Sequence, residues 1–185
     1  MRRTFLAITL ALLGALVVAP VVSAGGGDRA SGSGVRIPSC ELGCPGGTFV
    51  FDARSGRHGA NAHGWFVADF QGFGSFTGAV TCLHVDGKYA TLYGQISTGT
   101  GDADPTTYSP NQDPLYFVVV VKDRGPKPVG RPAPDRISYI GWDTEAGYFD
   151  FGGQTLDQVC SDPFTALGSN QMFGLVSGNI RVVDR

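Results

Sequence analysis

The sequence predicts an all-β domain of seven or eight short strands, which spacing alone would admit as a closed barrel or a two-sheet sandwich; the sandwich, of immunoglobulin-like, Greek-key type, is expected as the commoner outcome. Three observations predict it. The 185 residues include 28 glycines and 11 prolines, a usage suited to short strands joined by tight turns. Only two glutamates occur, and there is no long run of helix formers. Beyond Cys40, alternating or β-branched runs recur at short intervals between turn signals.

The first element is not part of the fold. Arg2 and Arg3 precede an apolar run from Phe5 to Val22, and Val22-Ser23-Ala24 places small residues where a signal peptidase reads them. Residues 1–24 are therefore expected to be a secretory signal cut after Ala24, rather than a membrane anchor interrupted by Pro20. "RRTFL" also matches part of a twin-arginine signal. That route exports folded chains from a reducing cytosol, so four cysteines meant for disulfides favour the general secretory route and an extracellular destination. Removing the leader leaves 12 basic against 16 acidic residues, a net charge of about −4. The basic residues are scattered along the sequence, which argues against a nucleic-acid partner. No second apolar run is long enough to span a bilayer.

Residues 25–38, "GGGDRASGSGVRIP", read as a flexible Gly/Ser-rich lead-in, with a single domain over 39–185. Strands are expected at Thr48–Ala53, Trp65–Phe70, Ala79–Val85, Tyr89–Ile96, Leu115–Lys122, Arg136–Trp142 and Gly178–Val183, with an eighth at Tyr148–Phe151. Val118–Val121 is continuously apolar, which suits a central strand buried on both faces. Residues 97–114 read as one long polar loop, and 123–135, with four prolines, as an extended connection. "SDPFTALG" (161–168) carries an N-cap, an early proline and a terminal glycine, the marks of a short helix.

"GAVTCLHVDGKYATLYGQI" (78–96) reads as a hairpin turning at Asp86-Gly87. Its core face would carry Leu83, Val85, Ala90, Leu92 and Ile96. The other face would carry Val80, Cys82 and His84, across from Tyr93, Thr91 and Tyr89. A cysteine on an outer sheet face of an exported protein suits a disulfide better than a zinc ligand. Cys40, Cys44, Cys82 and Cys160 allow three pairings. Cys82–Cys160 with Cys40–Cys44 is favoured, the former closing a loop of about 80 residues, worth roughly 4 kcal/mol in the chain-entropy model. Crossed pairings stay open.

No catalytic or cofactor signature is present. No serine has the glycines of a nucleophile elbow, and the even cysteine count argues against a catalytic thiol. Neither a metal site nor a cofactor is expected. Asp102, Asp104, Asn111 and Asp113 offer oxygen ligands in the 97–114 loop but match no calcium-loop spacing, and read as solvated. If Phe66, Ala68 and Phe70 face the core, Trp65 points outward, where it could stack on a sugar ring; Trp142 is the second candidate for such a contact.

"GGTFVF" (46–51), "DGKYATLYGQI" (86–96), "VVVVKDRG" (118–125), "PDRISYI" (134–140) and "SGNIRVV" (177–183) occur in an order that resembles small secreted bacterial post-choice-of-anchor domains. The resemblance implies an all-β sandwich, no assigned activity and no catalytic residues. The chain is thus expected to be an exported, non-catalytic binding or surface module whose partner is a glycan or another surface protein. A carbohydrate-binding protein using Trp65 or Trp142 is the narrower alternative, and a small hydrolase built on loop carboxylates is the third.

Overall fold

A computed structural model describes residues 27–36, 46–109, 111, 113–125, 135–138, 140–144 and 172–185. It is nearly all β. The strands are β1 (Arg29–Arg36), β2 (Gly47–Arg54), β3 (His63–Phe70), β4 (Gly74–Asp86), β5 (Tyr89–Gly99), β6 (Leu115–Lys122), β7 (Arg136–Ser138), β8 (Gly141–Thr144) and β9 (Met172–Val183). Every pairing is antiparallel, and each of β1 to β6 pairs with the next in sequence. The ring continues from β6 to β7 and β9, and β9 returns to β1. The result is a closed eight-stranded barrel, with β8 added to β6 beside β7.

The two-sheet sandwich expected from the sequence, and implied by the family resemblance, is therefore incorrect. β1 overturns it. Residues 29–36 fall in the stretch expected to be a flexible lead-in, yet they pair with β2 along one edge and β9 along the other. A strand with two neighbours leaves no open edge, which is the physical advantage of closure over two facing sheets. "RASGSGVR" does not look like a strand because its inward positions carry no bulky apolar side chain: Ala30, Gly32 and Gly34 are small, and the fourth is Arg36. A Cβ on Gly34 would lie 2.9 Å from the Phe49 ring and 2.8 Å from a Leu175 methyl. The bulky groups that fill the space over β1 come from its neighbours.

The interior is solid. Phe66 on β3 sits at its centre, with ring centroids 5.3 Å from Phe117, 5.9 Å from Phe76, 6.0 Å from Phe51 and 6.4 Å from Phe49. Leu83, Leu92, Leu115, Val119, Ile137 and Ile180 complete this core, all fully buried or nearly so. Gly78 and Gly94 make room for Phe117: a Cβ on either would come within 2.8 Å of its ring. Val118–Val121 is buried throughout on a strand paired along both edges, as its apolar run predicts.

The β4–β5 hairpin keeps its predicted core face but not its predicted turn. Asp86 pairs with Tyr89, so the two turn residues are Gly87 and Lys88, with Gly87 at φ 57°. The two-residue shift preserves which side chains share a face, and His84 lies across from Thr91 rather than Tyr89. A register shift between Val80 and Cys82 turns Val80 into the core as well. Cys82 stands on the outer side across from Tyr93. It is disulfide-bonded, and its partner lies outside the described residues. The expected Cys82–Cys160 and Cys40–Cys44 pairings, the strand at 148–151 and the helix at 161–168 likewise fall outside them.

Elsewhere the loops are more ordered than expected. β5 runs on to Gly99, and a 3-10 turn (Gly101–Ala103) leads into one helical turn, α1 (Pro105–Tyr108). The run 136–142, expected as one strand, divides into β7 and β8 around buried Ile140. β9 starts six residues before the expected Gly178. Just beyond β7 the Leu175 N–H still donates to the Asp135 carbonyl at 3.3 Å; farther along that side of β9, among the described residues, two aspartate side chains take over. Asp135 Oδ2 accepts from Ile180 N–H at 2.7 Å, and Asp123 Oδ2 accepts from Val182 N–H at 3.2 Å.

Candidate outer-wall binding site

Because rings occupy the barrel interior, a binding surface has to be sought on the wall. Strand alternation puts Arg29, Ser31, Asp52, Arg54, His63, Trp65 and Arg181 on outward positions of four adjacent strands. The ladder then assembles them. Arg29 lies across from Arg54, Arg54 from His63, and Ser31 sits between Asp52 and Arg181. Arg29, Ser31, Arg54, His63 and Arg181, together with Asp28, Ser55 and Arg185, line a cavity of about 510 Å³.

Its electrostatics are cationic. Asp52 is shared by two guanidinium groups: Arg29 Nη2 lies 2.9 Å from Oδ2, and Arg54 Nε lies 3.7 Å from Oδ1. Both pairs are solvent-exposed and contribute about 0–1 kcal/mol each to stability. Among the described residues, Arg181 and Arg185 have no ion-pair partner. Asp28 is buried and accepts from the Arg185 backbone N–H at 3.2 Å, which holds the C-terminal segment against the start of β1. The Nδ1 of His63 donates to the Asn61 carbonyl at 3.0 Å, so Nε2 is the ring nitrogen left for another partner. Ser55 is 7 % exposed, and its hydroxyl has no hydrogen-bond partner among the described residues.

A hydroxyl, an imidazole and carboxylates at one cavity invite comparison with a hydrolase. The geometry is not that of a nucleophile and its base: no hydrogen bond joins Ser55 to His63, or His63 to Asp28 or Asp52. What the site offers is donors without a catalytic chain.

Trp65, one of the two tryptophans singled out in the sequence, does not line this cavity but stands near it, on the same strand face as the lining residue His63. It is 41 % exposed, lies across from Asp52 and stands two residues from His63 on the same face. Trp142 is placed quite differently. It is half-buried, stacked at 5.7 Å on Phe70 and tilted against Phe76, and its Nε1 donates to the Asp102 carbonyl at 3.1 Å. The Phe70 and Phe76 rings that pack on Trp142 are part of the core.

The acidic loop residues have local work. Asp104 caps α1, accepting from Thr106 N–H at 2.8 Å and from the Thr106 and Thr107 hydroxyls. The Thr106 hydroxyl and amide hold its carboxyl below the ordinary 3.8. Tyr108 donates to Asp143 at 3.4 Å, and partial burial followed by that carboxylate raises its phenol above the ordinary 10.0. Ser109 Oγ accepts from Asp113 N–H at 2.9 Å. Among the described residues no three histidine, cysteine or carboxylate side chains gather closely enough to hold a metal ion.

The arginine cluster is the feature that sequence reasoning missed. Arg29, Arg54, Arg181 and Arg185 are scattered along the chain, and only the pairing of β1 with both β2 and β9 brings them together. No local motif reports such a gathering; the register of the first and last strands would have been needed. No family model matches the chain, and neither a curated protein nor a solved structure does.

Proposed function

We propose that this chain is an exported, non-catalytic binding module that holds a glycan on the outer wall of its barrel, at Trp65 and the adjoining arginine-lined cavity. The observation that carries the reading is the pairing of an exposed tryptophan with a donor-rich cavity on rigid strands, while the interior is closed by phenylalanine rings. An exposed indole offers a flat apolar face for a sugar ring, and guanidinium and imidazole groups beside it offer donors to sugar oxygens. The signal-like N-terminus and the disulfide at Cys82 support an extracellular setting. The barrel has apolar side chains inside and Ser31, Asp52, Arg54, Thr77 and Gln95 outside. That is the reverse of a lipid-facing barrel, which supports a water-exposed module.

The test is a binding screen of the purified exported chain against soluble glycans and cell-wall polysaccharides, with Trp65→Ala and Trp142→Ala alongside. Saturable binding that Trp65→Ala weakens without lowering thermal stability is the expected result. Trp142→Ala should lower stability, because it removes a ring stacked on Phe70. Binding untouched by Trp65→Ala, or no binding to any polymer, overturns the proposal.

A further inference from the structure

We infer that the cavity beside Trp65 accepts the negatively charged group of an acidic glycan, a uronate carboxylate being the group its donors suit. This rests on the outer-wall reading above and adds the chemistry of the ligand.

The charge pattern carries it. The chain as a whole has a net charge of −2, yet four arginines converge on one cavity with Asp28 and Asp52 as the nearby carboxylates. Asp52 already serves Arg29 and Arg54, and Asp28 is turned to the backbone of Arg185. Among the described residues the guanidinium groups of Arg181 and Arg185 are therefore uncommitted at the cavity wall. A guanidinium is a planar fork of donors that matches a carboxylate in bidentate fashion, and it is weakly hydrated, so engaging an anion costs little desolvation. The unpartnered, nine-tenths buried Ser55 hydroxyl at the same cavity is an independent sign that the site is incomplete without a polar group from outside. The volume of about 510 Å³ is within the range of pockets that hold small molecules or single sugar units.

A nucleic acid is the competing polyanion. It needs a continuous cationic track for successive phosphates, whereas this patch spans four strands and contains two aspartates. An isolated carboxylate next to a sugar face that Trp65 can cover fits the patch better.

The test titrates the purified exported chain with polygalacturonate, a sulfated glycan, neutral dextran and single-stranded DNA, at low and moderate salt. The variants are Arg181→Ala/Arg185→Ala, Trp65→Ala and, as a charge control that does not line the cavity, Lys88→Ala, with a thermal melt of each. Polygalacturonate should bind most tightly and weaken with salt. The double arginine variant should lose about tenfold or more of that affinity, since each charge-assisted hydrogen bond contributes about 1.5–3 kcal/mol. Lys88→Ala should bind as the parent does. Glycan binding that Trp65→Ala abolishes and the arginine variant leaves intact overturns this inference while the outer-wall proposal stands. Loss in the arginine variant alone supports the anion site and removes the stacking role of Trp65. Tighter binding to DNA or to the sulfated glycan than to polygalacturonate overturns the carboxylate assignment.

Discussion

Replacing Asp135 with alanine should destabilise the barrel more than any surface change, although the residue makes no ion pair among the described residues. Asp135 is 1 % exposed and stands just ahead of β7, where the ladder between β7 and β9 ends. Its Oδ2 accepts from Ile180 N–H at 2.7 Å and its Oδ1 accepts from Arg124 N–H at 2.9 Å. Hydrogen bonds to a charged acceptor contribute about 1.5–3 kcal/mol each, and the Ile180 amide has no water to turn to. Losing both would cost about 3–6 kcal/mol, less the relief of no longer burying a carboxylate. A net loss of about 3 kcal/mol is expected, which for a domain of this size lowers the melting temperature by roughly 10 °C.

The assay is urea denaturation followed by tryptophan fluorescence, backed by calorimetry. Asp135→Asn refines it: the amide keeps one acceptor but must turn its NH2 toward the other N–H, so it should lose about half as much. Asp123→Ala, whose carboxylate is only half-buried and accepts a longer bond from Val182, should cost about 1–2 kcal/mol. An Asp135→Ala chain within 1 kcal/mol of the parent would refute the idea that this carboxylate replaces missing strand pairing.

Two further perturbations test the core and the capped loop. Gly78→Ala places a methyl 2.4 Å from the Phe117 ring, so it should destabilise by about 1–3 kcal/mol in the same denaturation assay, and Phe117→Leu should recover part of that loss. For Asp104 the folded pKa lies below the ordinary 3.8, so its capping contribution is present above that value and disappears as pH falls through the lowered one. Protection of the Thr106 amide, its exchange rate by NMR relative to that of an unstructured peptide at the same pH, should therefore persist at pH 5 and be lost only below 3.8, and an Asp104→Ala chain should lack it at both.

The β class was legible because its signals are local. Alternation in "TFVFDA" and "WFVADF" and the apolar run of β6 each report on a few consecutive residues, and the strands occur where those patterns are. β1 was not legible, because strand signals rely on bulky apolar side chains and its inward positions carry alanine, glycine, glycine and, at its end, buried Arg36. The choice between sandwich and barrel depended on that one strand. Trp65 was readable as outward from the phenylalanines beside it, while Trp142 could not be placed because β8 is only four residues long. The arginines had no local signature at all.

Closure of the barrel and assembly of the candidate site are one event. Arg29 reaches its neighbours only if β1 pairs with β2 and β9 in this register, since a slip of one residue would send Arg29 inward and Ala30 to the surface. That register is itself fixed from the inside. Gly34 fits under Phe49 and Leu175, and Gly32 fits beside Ile180, so a shifted β1 would set serine side chains where only hydrogen atoms have space. The phenylalanine-filled interior therefore does more than stabilise the domain. By admitting β1 in a single register, it determines which four guanidinium groups stand together on the outer wall, next to a tryptophan that faces the same solvent.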